Sequence, residues 1–310
     1  MQSEDKALAA ARDLVERALA GQTPRPVVHT IFDEETFTAT HIVSCPETKR
    51  AAIIDSVLDF DQASGRTSTD HAEQVLGHVK EQGLTVEWIL ETHAHADHLS
   101  AAPFLQERLG GKIAIGGHIA TVQGVFQKIF HLGDSVSLAG REFDHLFADG
   151  DLFRIGNLEA RVLHVPGHTP ADIAFVIGDA AFIGDTLFMP DYGTARCDFP
   201  GGSSRTLFRS IQRLLQLPDA TRVFLCHDYK APGRDHFVWE TTIGDQRRHN
   251  IHVKEGTTEE EFVAFRDARD ATLAMPRLIL PSIQVNIRAG HLPEPEANGT
   301  RYLKLPLNLL

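Results

Sequence analysis

The chain has 310 residues, 42% of them hydrophobic and 23% charged, which suits one large folded unit and excludes a disordered chain. Its 42 acidic against 30 basic residues leave a formal charge of −12 with no basic patch to offset it, so neither nucleic acid nor an anionic membrane is an expected partner. No run of about 18 apolar residues could span a bilayer. The first residues lack the basic start and apolar stretch of a secretory signal, and the three scattered cysteines, Cys45, Cys197 and Cys226, suit a reducing compartment. The expected location is the cytoplasm.

In chain order, residues 5–20 carry Leu8, Ala11, Val15 and Leu19 near helical spacing and stop at Gly21, Pro24 and Pro26, so 1–26 reads as an N-terminal helical appendage. Two β-branched stretches, about 36–44 and 51–55, flank the turn-like Pro46-Glu47-Thr48 and predict a hairpin. A helix over 70–82, a strand over 86–90, a helix over 99–109, a strand over 112–115 and a helix over 119–129 then alternate, as in sheets covered by helices. Short strands at 152–155, 159–164, 173–177 and 180–183 precede a helix at 204–215 and a strand at 222–226. The catalytic unit is expected over 27–250. Beyond it, 251–310 reads as an extension that packs on the core, with one helix around 259–273 and an irregular proline-rich tail from Pro276.

Four segments carry the chemistry. Glu91-Thr-His93-Ala-His95-Ala-Asp97-His98 follows a strand directly; two histidines two apart in an extended loop project to one side, and Asp97 and His98 at a helix start can turn to the same point. The plain alternative is a solvated polar loop. His168 stands in the turn Val165-Pro-Gly-His168-Thr-Pro170, where proline and glycine can lock a ligand's orientation or merely make the turn. Asp185 follows an apolar strand and Gly184, where its carboxylate could bind or bridge metals, or only cap the next turn. His227 ends the strand at Leu225-Cys226. Because every segment ends a strand, all four can meet at one rim of a sheet, where loops on a rigid scaffold commonly carry function.

In their order and residues these segments, spanning roughly Thr30 to Asp228, resemble the metal-binding motifs of the metallo-β-lactamase superfamily. The resemblance implies an α/β fold, an αββα sandwich of two mixed sheets flanked by helices, with metal at the sheet edges. Dinuclear members would use His93, His95 and His168 for one metal and Asp97, His98 and His227 for the other, with Asp185 bridging. The stretch Arg196-Cys-Asp198-Phe199, together with residues 92–98, 184–188 and 227–229, is similar to the persulfide dioxygenase branch related to glyoxalase II, although Ala195 and Cys197 depart from its usual pattern. That branch implies one Fe(II) per chain on His93, His168 and Asp185, with His95, Asp97, His98 and His227 around it, and a two-histidine, one-carboxylate triad suits a non-haem iron oxygenase.

The implied reaction oxidises glutathione persulfide, or a related thiol persulfide, with O2 to sulfite and thiol, in sulfide detoxification. Arg196 and Tyr229 are the expected substrate residues; an ion pair of Arg196 with Asp198 is the plain alternative. The competing function is a dinuclear hydrolase with two Zn(II), resembling glyoxalase II or another member of the superfamily. Cys197 and Cys226 could exchange sulfur or be inert buried thiols. A homodimer is the expected assembly.

Overall fold

The computed structural model describes residues 5–309. Helix α1 (Lys6–Leu19) leads into β1 (Val27–Asp33), β2 (Thr38–Ser44), β3 (Arg50–Ile54), β4 (Val57–Asp61) and β5 (Arg66–Ser68). Then come α2 (Asp70–Glu81), β6 (Thr85–Leu90), β7 (Leu99–Ser100), α3 (Ala102–Leu109), β8 (Lys112–Gly116), α4 (Ile119–Ile129) and β9 (His145–Phe147). The second half holds β10 (Leu152–Ile155), β11 (Leu158–His164), β12 (Ile173–Ile177), β13 (Ala180–Phe182), α5 (Ser204–Leu214), β14 (Arg222–Phe224) and β15 (Glu240–Thr242). Helices α6 (Ile243–His249), α7 (Glu259–Asp270) and α8 (Ile279–Asn286) close the chain.

Two six-stranded sheets form, in the orders β1-β2-β3-β6-β8-β9 and β10-β11-β12-β13-β14-β15, each mixing parallel and antiparallel neighbours. A small third sheet, β5-β4-β7, sits beside them.

The period-two alternation of strands explains the layering. In the first sheet Ile42, Ile53, Ile89 and Ile113 face one way, into a cluster with Val75, Leu105, Phe126 and Ile283 from the helices. Their neighbours Val43, Ile54, Leu90 and Ala114 face the other way, against Phe175, Phe182 and Phe224 of the second sheet. That sheet in turn sends Leu163, Ala174 and Val176 outward to Leu14, Leu207, Ile211 and Phe262. Both sheets are therefore buried on both faces, which requires four layers, αββα.

Two expectations need correcting. The helix expected as an appendage is part of the outer layer, because the buried face of α1 packs into the same cluster as β11 and α5. The tail from Pro276 is not all irregular: α8 forms there and buries Ile279, Ile283 and Ile287 under the first sheet. Pro281 lies in the first turn of α8, where a missing N–H costs no helical hydrogen bond. Among the described residues no helix is long and apolar enough to cross a membrane.

Candidate metal centre

The four sequence segments follow β6, β11, β13 and β14, and the structure brings their side chains together. One ligand atom each from His93, His168 and Asp185 lies within 4.8 Å of the others, and the same holds for His95, Asp97, His98 and His227. Asp185 also groups with His227, Nε2 to Oδ1 at 3.4 Å, which links the two sets. His95 stands between the two sets: it groups with Asp97, His98 and His227, and its ring centroid lies 4.1 Å from that of His93 and 4.2 Å from that of His98. One correction concerns His98, which is not at a helix start, since β7 intervenes before α3.

Hydrogen bonds fix which nitrogen of each imidazole is free. His168 Nδ1 donates to the Arg196 carbonyl at 2.8 Å and His227 Nδ1 to the Phe37 carbonyl at 3.1 Å, so in both rings a neutral imidazole keeps its lone pair on Nε2. Thr92 Oγ1 donates to Asp55 and so accepts from His93 Nδ1 at 3.0 Å, which again frees Nε2. In His95 the roles reverse: Nε2 faces Asp55 at 3.0 Å and Glu91 at 3.1 Å, and Nδ1 is left open. Such anchoring of the distal nitrogen is how metal-binding histidines are oriented.

Among the described residues, six of the twelve buried side-chain atoms without a hydrogen-bond partner belong to this cluster: His93 Nε2, His95 Nδ1, Asp97 Oδ2, His98 Nε2, Asp185 Oδ1 and His227 Nε2. Unpaired buried polar atoms cost about 1–3 kcal/mol each, so their convergence calls for a cation. Protonation reports the same need. Burial holds the His93 ring well below its usual range. Against burial, Asp55 and Glu91 hold His95 well above it, and Asp97 and Asp185 raise His227. The donor set fits a metal bound by nitrogen and oxygen.

The supports come from distant chain. The His168 turn is tied to α5 by the Ser203 N–H on the Gly167 carbonyl, 2.8 Å, and by Ser210 Oγ on the Pro166 carbonyl, 2.6 Å. Asp55, at the end of β3, accepts from both Thr92 N and Thr92 Oγ1. Asn286 of α8 donates to the carbonyls of His95 and His98, both at 2.8 Å, while its own oxygen accepts from Ser100 N. Sequence reading missed both. Asp55 does follow an apolar strand, the signal that marked the others, but Asn286 has no local signal.

A cavity of about 550 Å³ opens over the cluster, lined by Asp97, His168, Asp185, Phe188, Tyr229 and residues of the C-terminal segment. Tyr229 stacks on His227 with centroids 5.6 Å apart. Arg196 borders the cavity, but its guanidinium is bound to both oxygens of Asp198 and to the Ala274 carbonyl. The expected substrate cation is thus taken by a carboxylate two residues away, and its backbone oxygen orients His168 instead. Cys197 and Cys226 are buried, and burial pushes both thiols up.

Residues 37–227 match the Metallo-beta-lactamase superfamily. The chain belongs to that superfamily. Similar members include a beta-lactamase hydrolase-like protein of Xylella fastidiosa, 55% identical over 93% of this chain, which spans 66% of that relative's length. Glyoxylase B2 of Dictyostelium discoideum is 49% identical, over 90% of this chain and 97% of its own. The mitochondrial persulfide dioxygenase ETHE1 of Mus musculus is 28% identical, over 85% and 89%. Among solved structures, ETHE1 from Myxococcus xanthus superposes with a TM-score of 0.68 at 31% identity, covering 86% of this chain and 100% of that one. The superfamily's metal-dependent chemistry accords with the donor cluster.

Proposed function

We propose that this superfamily member is a persulfide dioxygenase that holds one Fe(II) on His93, His168 and Asp185. The observation carrying this reading is the grouping of two imidazoles and one carboxylate, with His168 and Asp185 lining the cavity. His93, His168 and Asp185 would hold the iron, which would supply the redox chemistry toward O2. The balanced reaction is RSSH + O2 + H2O → RSH + SO3²⁻ + 2 H⁺, in which the terminal sulfur is oxidised and O2 reduced. Likeness to ETHE1 over the whole of that chain supports the reading.

The protein's own part is orientation and exclusion of water. Asp55 and Glu91 hold the His95 ring, the Arg196 carbonyl holds His168, and Phe37, Phe188, Tyr192 and Tyr229 line the approach with aromatic surface. Tyr229 brings a phenol to the same space, suited to hydrogen-bonding a polar group of the thiol carrier.

A second reading, a two-zinc hydrolase of glutathione thioesters, is favoured by a specific observation: His95, Asp97, His98 and His227 form a complete second donor set. The Xylella fastidiosa relative at 55% identity carries a hydrolase-like name as well. Metal analysis of the purified chain, paired with oxygen uptake on glutathione persulfide and thioester cleavage, separates the two. About one iron per chain with oxygen uptake supports the dioxygenase; about two zinc with thioester cleavage and no uptake overturns it.

A further inference from the structure

Residues 193–197 run beside the metal centre, and side chains from residue 250 onward hold their backbone. Asn250 Nδ2 donates to the Gly193 carbonyl at 3.0 Å, His252 Nδ1 accepts from Thr194 N at 3.0 Å, and Arg266 donates to the Thr194 carbonyl at 3.1 Å. Asp270, the last residue of α7, accepts from Cys197 N at 2.7 Å through its Oδ2. That N–H belongs to the same peptide group whose carbonyl, on Arg196, accepts from His168 Nδ1 at 2.8 Å. One amide therefore stands between a carboxylate and the imidazole of a metal-binding residue. Asp270 is buried, and the buried Arg266 lies 2.7 Å from its other oxygen, so the carboxylate is fixed from both sides.

We infer that Asp270 is a positioning residue of the metal centre, acting on His168 through the Arg196–Cys197 peptide, so that a carboxylate on α7 strengthens a metal ligand it does not touch. An amide is a resonance system: an anion on its N–H draws the nitrogen lone pair toward the carbonyl and leaves more negative charge on the oxygen. Linked hydrogen bonds strengthen one another by about 10–30% per bond, and in a buried place the charge is weakly screened. A firmer acceptor for Nδ1–H fixes the tautomer that keeps the lone pair on Nε2. It also makes that nitrogen a more basic donor, as a carboxylate does when it meets a metal-binding histidine directly. Arg266 supports the arrangement twice, by holding Asp270 and by donating to the Thr194 carbonyl on the same stretch. His168 belongs to the first donor set in the one-iron and the two-zinc readings alike, so the inference stands or falls apart from the proposed reaction.

The competing role for Asp270 is to anchor the loop and nothing more. Asp270→Asn separates the two, because it keeps the size and an oxygen able to accept from Cys197 N–H but removes the charge. The test titrates the metal-free full chain with Co(II) against a competing chelator and records proton NMR of the Zn(II)-loaded chain. The His168 Nδ1–H resonance is identified by its absence in His168→Gln. Asp270→Asn is expected to weaken Co(II) binding about tenfold and to move that resonance upfield, while metal-free protein unfolds near the wild-type temperature. Asp270→Ala, which leaves Cys197 N–H without an acceptor, should approach a loss of roughly a hundredfold. Asp267→Asn removes the same charge from the same helix, where Asp267 accepts instead from Ser204 Oγ at 2.6 Å, and should do neither. Co(II) affinity of Asp270→Asn within about twofold of wild type, a resonance that stays in place although binding weakens, or an equal loss in Asp267→Asn would overturn the assignment. If the Asp270 effects appear in a chain that consumes no oxygen with any persulfide, the link to His168 stands and the dioxygenase reading falls.

Discussion

Gly167 precedes His168 at a φ of +148°, and a Cβ built on it would lie 2.3 Å from Leu207 Cα, 2.5 Å from Leu207 N and 2.5 Å from Leu207 Cβ. The obstruction is the backbone of the first turn of α5, which cannot swing aside as a flexible side chain can. Gly167→Ala therefore meets two penalties: about 1–3 kcal/mol for an L-residue in backbone space reserved for glycine, and about 1–3 kcal/mol for forcing packed elements apart. Together they are a substantial part of the roughly 5–15 kcal/mol that holds a domain folded. The Ser203–Gly167 hydrogen bond ties α5 to the turn that presents His168, so the relief of the clash must move that ligand. Urea denaturation of metal-free and metal-loaded protein, with metal content by elemental analysis, should show both a loss of about 2–6 kcal/mol and weakened metal retention. A control in α4, Gly124→Ala, meets no atom within 4 Å and should gain about 0.5–1 kcal/mol. Gly167→Ala with stability within about 0.5 kcal/mol of wild type and a full metal complement would refute the argument.

Burial lowers the His41 pKa to about 4 from an ordinary 6.5, with the ring bonded to Thr30 Oγ1 and the Leu225 carbonyl. Above pH 6.5 the ring is neutral folded and unfolded; as pH falls toward 4 only the unfolded chain takes the proton, so about 3 kcal/mol of stability is lost across that window. Denaturation midpoints measured against pH should fall more steeply for wild type than for His41→Gln, and parallel curves would contradict the assignment. Asn286→Ala strips partners from two carbonyls and one N–H around the histidine loop, so a loss of about 2–4 kcal/mol is expected, with lower metal affinity by competition with a chelator. Unchanged metal affinity there would mean that α8 does not hold the loop. Thr258 and Glu261 form a reciprocal cap on α7, and Thr258→Ala should cost about 1 kcal/mol in thermal unfolding without changing metal content.

What could be read from the sequence was whatever local chemistry marks. Each predicted donor stands just beyond an apolar strand, so its position at a sheet rim followed from strand periodicity. The parts that escaped depend on partners far along the chain. Asp55 was silent because a single carboxylate after a strand has no neighbouring ligand to distinguish it, and Asn286 reaches the histidine loop across about 190 residues. Pro281 reads as a breaker, yet it starts a helix. At Arg196 the residue type suits a substrate carboxylate, and Asp198 on the same loop reaches the same fork.

His95 stands between the two donor sets. Its Nε2 is turned into Asp55 and Glu91, so only Nδ1 faces the cluster, and that atom joins Asp97, His98 and His227. His93, His168 and Asp185 supply three ligands, a count that serves an oxygen-activating iron and a catalytic zinc alike, so the second set decides the metal. The four groups of the second set cannot remain dry and uncompensated, since four of their buried atoms are without partners. In the one-iron reading they order water and hold the iron's surroundings; in the two-zinc reading they bind the second metal. His98→Ala tells these apart because His98 belongs to the second set alone. It should leave about one iron per chain in the first case and reduce about two zinc to about one in the second.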